Sequence, residues 1–502
     1  MWKCYGPESL RALFACMLLA LGTVSGKMSY GQCGVSSSDQ YQWMERYQRN
    51  QRQAAVPGSA RSMTAIPVAY HLVGRSNGEG MPPAWQAWES VCVVNETFAG
   101  TGLFFYVSHI STTASNGIFN DHTLQINQLA MRGLKRPDAL NVFVVNNAAA
   151  LGSGNVTGYF DETDDWVVVA RSTLRPGNHT VAHEIGHFFS LFHPHLGWDG
   201  QAWSAALHGN PAPATAPDGT TPTELQNGSN CATAADRLCD TPPDYNFGLA
   251  WQQSCTYSGP ALDPAGMAVN PDETLVMSYF NDSCRAVFSP QQTALMLADV
   301  QQPERAYLQT GFVPQQQGGA SPVSLAGPLG LTPHVGGSLT FAWQRHPLAA
   351  TYYLEVDRSP SFALEPKGIL TSDTSVSFSY PFVTGGTYHW RVFAYSPNEV
   401  CLPVSAPATF TADAPDGILP AHLTSLSVRR EGQEAIITLD RPAAATYRAR
   451  VISPAGQVVR RLEGHFLPGE NEIRLNLSGL PAGMWYVDFE DHSGVGKLLI
   501  GP

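Results

Sequence analysis

Charge is what this 502-residue chain has least of: Asp, Glu, Lys and Arg make up only 14% of it, against about a quarter in ordinary soluble domains. Basic residues are the scarcer sign, 29 Lys and Arg against 41 Asp and Glu, for a formal charge of −12. No basic cluster offsets that balance, which argues against nucleic acid or another polyanion as partner. Long apolar runs are missing too. The run over residues 12–21 is shorter than the ~20 residues that span a bilayer, and no later stretch is long enough for a transmembrane segment. Gly (46) and Pro (37) are plentiful instead, a balance that suits loop-rich and β-rich extracellular modules. The length exceeds one ordinary domain, and about three is the prior.

The chemistry is concentrated in Thr180-Val181-Ala182-His183-Glu184-Ile185-Gly186-His187-Phe188-Phe189-Ser190-Leu191-Phe192-His193. This is HExxH with a third histidine six residues on. On an α-helix, positions i and i+4 lie one above the other, so His183 and His187 present two imidazoles to one metal. Glu184 stands one position round and points beside the metal, which suits a general base for a bound water. Beyond Phe189 the chain must leave the helix for His193 to return as third ligand. Three neutral imidazoles and a water form an open, catalytic Zn2+ site. Val181, Ile185, Phe188, Phe189 and Phe192 would also fit an ordinary core helix, but that leaves three histidines and a glutamate unexplained. Asn178 or Thr180 is expected to cap the helix.

Ahead of this stretch, residues 1–26 read as a secretory signal, with Lys3 and Arg11 flanking the apolar run and Val24-Ser25-Gly26 as cleavage site. Seven cysteines follow it: Cys33, Cys92, Cys231, Cys239, Cys255, Cys284 and Cys401. An odd number leaves at least one thiol unpaired within the chain. Residues 27–62 are Gln/Arg-rich with little to bury and read as a propeptide. Its Cys33 can occupy the water position as thiolate and hold the site latent. Ala60-Arg61-Ser62 is the expected activation site. A catalytic domain is expected over 63–313. Ile66 to Leu72 alternates like a strand, and Trp85, Trp88, Val91, Cys92, Asn95 and Phe98 recur at helical spacing. Further strands run over Leu103–Val107, Leu140–Val145 and Trp166–Ala170. With the zinc helix, these elements make an α/β domain. His71, His109 and His122 are read as ordinary histidines. Residues 194–275 are loop-rich and include Arg237-Leu238-Cys239-Asp240-Thr241-Pro242-Pro243-Asp244. Val276-Met277-Ser278-Tyr279-Phe280-Asn281-Asp282-Ser283-Cys284 follows, then Phe288-Ser289-Pro290 leads into a helix through Leu295 and Met296.

The zinc helix with His193, the Asp-Thr-Pro segment, and Met-Ser-Tyr followed by Cys284 and Phe288 together resemble the pappalysin family of metzincin proteases, ulilysin-like members included. The resemblance covers roughly residues 30–312. It implies a metzincin fold: a twisted sheet with the zinc helix, then a loop-rich C-terminal subdomain across a cleft. Met277 is implied as the Met-turn beneath the ligands, Tyr279 as a cleft residue stabilising the tetrahedral intermediate, and Cys33 as the latency cysteine. The family pattern implies a Cys255–Cys284 bridge; Cys231–Cys239 is a further expected pair. Some relatives bind Ca2+ in the loop-rich half, where Asp240, Thr241 and Asp244 are candidate oxygens. The chain departs from the metzincin pattern at Ser190, where glycine is usual because the helix exit favours a left-handed backbone.

Residues 313–321 read as a linker. Residues 321–413, with Leu339 to Trp343, Tyr352 to Val356 and Tyr388 to Ala394 as strands, resemble a fibronectin type III β-sandwich with Trp343 in its core. Its aromatics are read as core, not as a ligand platform. After a second linker near Asp413–Gly417, residues 420–502 are similar to the C-terminal sorting domain of the type IX secretion pathway of Bacteroidetes-type bacteria, which implies that machinery as partner and a secreted or surface-attached Gram-negative protein. The expected function is a secreted zinc endopeptidase made as a zymogen, acting on proteins or peptides. The alternatives are an inactive surface adhesin with a protease-like domain and, last, a metallohydrolase of non-peptide substrates, which the Met277/Tyr279 segment disfavours.

Overall fold

The computed structural model describes residues 32–33, 40–54, 63–149, 156–251, 254–315, 321–333, 338–364, 366–380, 382–383, 385–413, 425–441, 444–453, 458–478, 480, 483–489 and 495–500. The expected signal at 1–26 and the activation stretch Ala60–Ser62 lie outside them. The chain divides into two compact units, residues 1–319 with Tyr395–Cys401, and residues 320–394 with 402–502.

The first unit is built on a mixed six-stranded sheet. In chain order its strands are β1 (Gln32–Cys33), β2 (Thr64–Gly74), β3 (Leu103–Ala114), β4 (Leu140–Val145), β5 (Val156–Asp161) and β6 (Trp166–Ala170), arranged β1-β5-β6-β4-β2-β3. Strands β4 and β6 are buried at every position and read as unbroken Val-rich runs, as strands covered on both faces do. β2 pairs in parallel with β3 and β4, and β4 with β6, whereas β5 runs antiparallel to β6. The helices are α1 (Gln40–Ala54), α2 (Ala84–Thr97), α3 (Asn116–Asp121), α4 (Gln125–Leu134), α5 (Thr180–Phe188) and α6 (Pro290–Val300), beside single turns. A capping box between Ser289 and Gln292, with Pro290 in the first turn, starts α6.

Residues 27–62 hold more than a polar leader. Helix α1 buries Trp43, Arg46, Tyr47 and Asn50, one face at helical spacing. Half of that face is polar, so hydrophobic pattern alone does not reveal it. The loop-rich stretch after α5 has its own aromatic core, including Trp198, Trp203, Tyr245, Phe247 and Tyr257. Cys231–Cys239 and Cys255–Cys284 bridges tie it down. A third bridge, Cys92–Cys401, has no sequence signal; it joins α2 to the Tyr395–Cys401 segment. Tyr395 stacks on Trp88 at 5.2 Å, and its hydroxyl accepts the Val107 N–H at 2.5 Å. Six of the seven cysteines after residue 26 are thus bridged, and the remaining one is Cys33.

The second unit carries four antiparallel-rich sheets. One core gathers Phe341, Trp343, Tyr352, Tyr388, Trp390 and Phe410; a smaller one gathers Ile437, Val451, Phe466 and Val487. The aromatics expected in the core are there.

Two buried acids in the loop-rich stretch set a pH dependence. Burial, then the charge of Asp236, pushes Glu224 up to about 9; burial pushes Asp236 itself up to about 8, against hydrogen bonds from Leu238 and Thr241. Unfolded, such carboxyls release their protons near pH 4. The folded state therefore binds more protons between pH ~4 and those raised values. The stabilisation is complete below the unfolded pKa and is lost as pH rises through 8–9. Glu224→Gln is expected to flatten the fall in melting temperature between pH 5 and pH 9, measured by calorimetry; an unchanged slope would remove Glu224 as its source.

Candidate metal centre

Helix α5 is nine residues long and buried throughout. His179 stands at its N-cap without a side-chain cap; neither expected capper fills that role, although Asn178 Oδ1 accepts the Thr180 N–H at 3.1 Å. At the other end Phe189 is the C-cap and Ser190 adopts a left-handed backbone, φ 70°. Leu191 N–H bonds Gly186 C=O at 3.0 Å and Ser190 N–H bonds His187 C=O at 2.8 Å, the pattern of a Schellman turn normally made by glycine. Serine there costs about 1 kcal/mol, and the turn swings His193 back towards the helix.

The three histidines converge. His193 Nε2 lies 3.2 Å from His183 Nε2 and 2.9 Å from His187 Nε2. Each ring's other nitrogen faces an acceptor: His183 Nδ1 donates to Val276 O at 2.8 Å, His187 Nδ1 to Leu191 O at 2.7 Å, and His193 Nδ1 to the Asp199 carboxylate. Protons on all three Nδ1 atoms leave three bare Nε2 lone pairs at one point. Tetrahedral zinc with Zn–N of about 2.0–2.1 Å sets neighbouring nitrogens roughly 3.4 Å apart, so the donor set and its spacing fit that ion. Burial, then the charge of neighbouring imidazoles, holds His183 and His187 well below the usual histidine range; burial lowers His193 despite Asp199. Neutral imidazole is the ligating form.

Glu184 is 1% exposed. A Cβ on Gly158 of β5 would sit 2.7 Å from Glu184 Oε1, so glycine lets that strand run directly over the carboxylate. Met277 is fully buried, and its Sδ is the atom that a side chain on Gly186, between the two helical histidines, would strike. That sets Met277 against the helix as a floor. The Tyr279 ring lies 5.8 Å from His183 and 4.8 Å from His193.

Two residues escape sequence reading. Asp199 orients the third histidine from a loop six positions on, a spacing without a periodic signature. Arg285 grips the Met277 turn from below, donating to Val276 O at 3.1 Å and Ser278 O at 3.0 Å, and pairs with Asp282. Val276 O thus serves both Arg285 and His183.

The three candidate calcium residues each meet a different protein partner. Asp240 accepts from Ser289 Oγ and Gln291 N at the start of α6. Thr241 Oγ1 donates to Asp236. Asp244 accepts the Phe247 N–H, and its other oxygen lies 3.6 Å from His195 Nδ1. Asp244 Oδ2 itself is buried and makes no hydrogen bond.

The Cys33 backbone pairs in parallel with Gly158, the residue overlying Glu184.

No family model matches the chain. In sequence it is similar to an extracellular metalloprotease of Colletotrichum graminicola, 25% identical over 207 residues that span 36% of this chain and 72% of that protein. Among solved structures, a promirolysin mutant of Tannerella forsythia aligns with 55% of this chain and 97% of its own, at 16% identity and a TM-score of 0.37. An α-L-rhamnosidase of Dictyoglumus thermophilum aligns with 35% of this chain and 28% of its own, at 12% identity and a TM-score of 0.17. The metalloprotease relative, not these structural alignments, bears on function.

Removing a carboxylate that orients a zinc-bound histidine lowers metal affinity 10–100-fold in other proteins. Asp199→Ala is expected to weaken zinc retention within that range in competition with a chromophoric chelator. Unchanged retention would reduce Asp199 to a loop-packing residue.

Proposed function

We propose that this chain is an exported, zinc-dependent endopeptidase of pappalysin type, kept latent by the segment around Cys33. The observation that carries the reading is the trio of Nε2 lone pairs whose protons all lie on the far side of the rings, with Glu184 beside them. Similarity to an extracellular metalloprotease supports it.

His183, His187 and His193 would hold zinc, whose Lewis acidity lowers the pKa of a water from ~15.7 to about 7 and polarises a carbonyl. Glu184 accepts the proton of the attacking water and delivers it to the leaving amine. Its burial beneath β5 keeps bulk water from competing for that proton. Tyr279, packed against two of the ligand rings, offers its phenol to the developing oxyanion, a contribution of about 3 kcal/mol per donor in other enzymes. Met277 and Arg285 keep the ligand floor rigid. The pairing of Cys33 with Gly158 brings the prosegment to the edge of β5, the strand over Glu184, and from there the Cys33 thiolate would take the water position. The sandwich over 321–413 and the sorting domain over 420–502 serve display or export through type IX machinery.

The test is cleavage of a denatured protein by residues 27–502. Wild type gains activity on losing the Cys33 segment and loses it to a zinc chelator; Cys33→Ala is active at once. Glu184→Ala is silent with zinc still bound. Zinc bound without cleavage by any form defeats the hydrolytic reading.

A further inference from the structure

Helix α1 lies within the stretch that a zymogen would discard, yet it completes the exit of the zinc helix. Two carbonyls there have lost their helical partners and are satisfied by side chains. Phe188 O accepts from Arg46 Nη2 at 2.5 Å and from Arg305 Nη2 at 2.6 Å. Ser190 O accepts the Trp43 indole N–H at 3.0 Å. The Ser190 hydroxyl, absent from the usual glycine, takes the Asn50 amide at 2.9 Å. Beneath them the buried Asp299 carboxylate accepts from Arg46 Nε at 2.7 Å, Asn50 Nδ2 at 2.7 Å and Arg305 Nε at 3.1 Å. The Trp43 ring stacks on Phe192 at 4.8 Å and stands edge-on to the ligand His187 at 5.2 Å. Tyr47 also packs on Phe192, at 4.7 Å. Loss of α1 would expose Phe192, bare one side of His187, and leave Asp299 with Arg305 alone among these cations.

We infer that α1 is a permanent brace of the ligand loop, retained when the Cys33 segment leaves, and that Trp43 and Asn50 are positioning residues holding Ser190 left-handed so that His193 reaches the metal. The inference rests on the zymogen reading of the same site. It moves the end of the removable piece from residue 62 to before Trp43, or leaves a nicked helix bound without a covalent link. Serine at the exit and Asn50 on the helix form one device: the side chain whose Cβ strains the turn also carries the hydroxyl that holds it.

The experiment uses the chain over residues 27–502. After limited treatment with a protease of broad specificity, species are separated by gel filtration, weighed by intact mass under denaturing conditions, and titrated for zinc by chelator competition. The peptide 40–54 is expected to elute with the zinc-binding fragment. Asn50→Ala and the gentler Trp43→Phe, which keeps an aromatic ring and removes the N–H, should each weaken zinc retention about tenfold. In a Ser190→Gly background Asn50→Ala should lose most of its effect, because glycine holds the turn without the hydroxyl. A processed form that lacks 40–54 and keeps zinc as tightly overturns the inference, as does an equal Asn50→Ala loss in both backgrounds. Because zinc and mass are read, a protein that follows this pattern but cuts nothing sustains the brace and defeats the protease reading alone.

Discussion

Three imidazole lone pairs about 3 Å apart repel one another, and the fold holds them there by fixing the proton on the opposite nitrogen of each ring. Everything around the site serves that constraint. The Met277 turn supplies Val276 O and is itself clamped by Arg285; the helix exit supplies Leu191 O; the following loop supplies Asp199. Three acceptors from three segments select one tautomer of three rings, and burial keeps all three neutral. A cation is the natural counterpart of such an arrangement, since three acceptors facing inward offer nothing to an anion or to another donor-poor group.

The two histidines of α5 were legible as a pair because helical geometry ties spacing to direction: i and i+4 face one way whatever the rest of the chain does. The parallel strands were legible for a similar reason, since burial on both faces forces long Val-rich runs such as 166–170. Strand β3 continues to Ala114, past the expected Val107, because its second half is partly exposed and loses the apolar signal. Helix α1 looked like leader because Arg46 and Asn50, half of its buried face, are polar. Their burial is repaid by carbonyls and a carboxylate more than a hundred residues away, which no local window contains. Calcium oxygens are hard to read from sequence for a related reason: an acidic, Thr-containing stretch looks the same whether its oxygens meet a cation or the N-terminus of a nearby helix.

Ser190 shows how a departure from a family pattern can be compensated in the same structure. A left-handed serine is strained, but its hydroxyl and carbonyl are both engaged by one helix, and its own N–H closes the turn. The strain therefore need not loosen the ligand that follows. Rigidity here comes from hydrogen bonds that reach across the fold and not from the local preference of the residue.

The Cys92–Cys401 bridge spans 309 positions and carries a consequence for how the protein comes into being. At ribosomal speeds of about 5–20 residues per second, the second thiol is made some 15–60 s after the first. The bridge cannot close until the chain has grown well past the six-stranded sheet, so Cys92 is without its native partner while Cys231, Cys239, Cys255 and Cys284 appear in turn. Closure of the two short-range bridges takes those four thiols out of competition for Cys92.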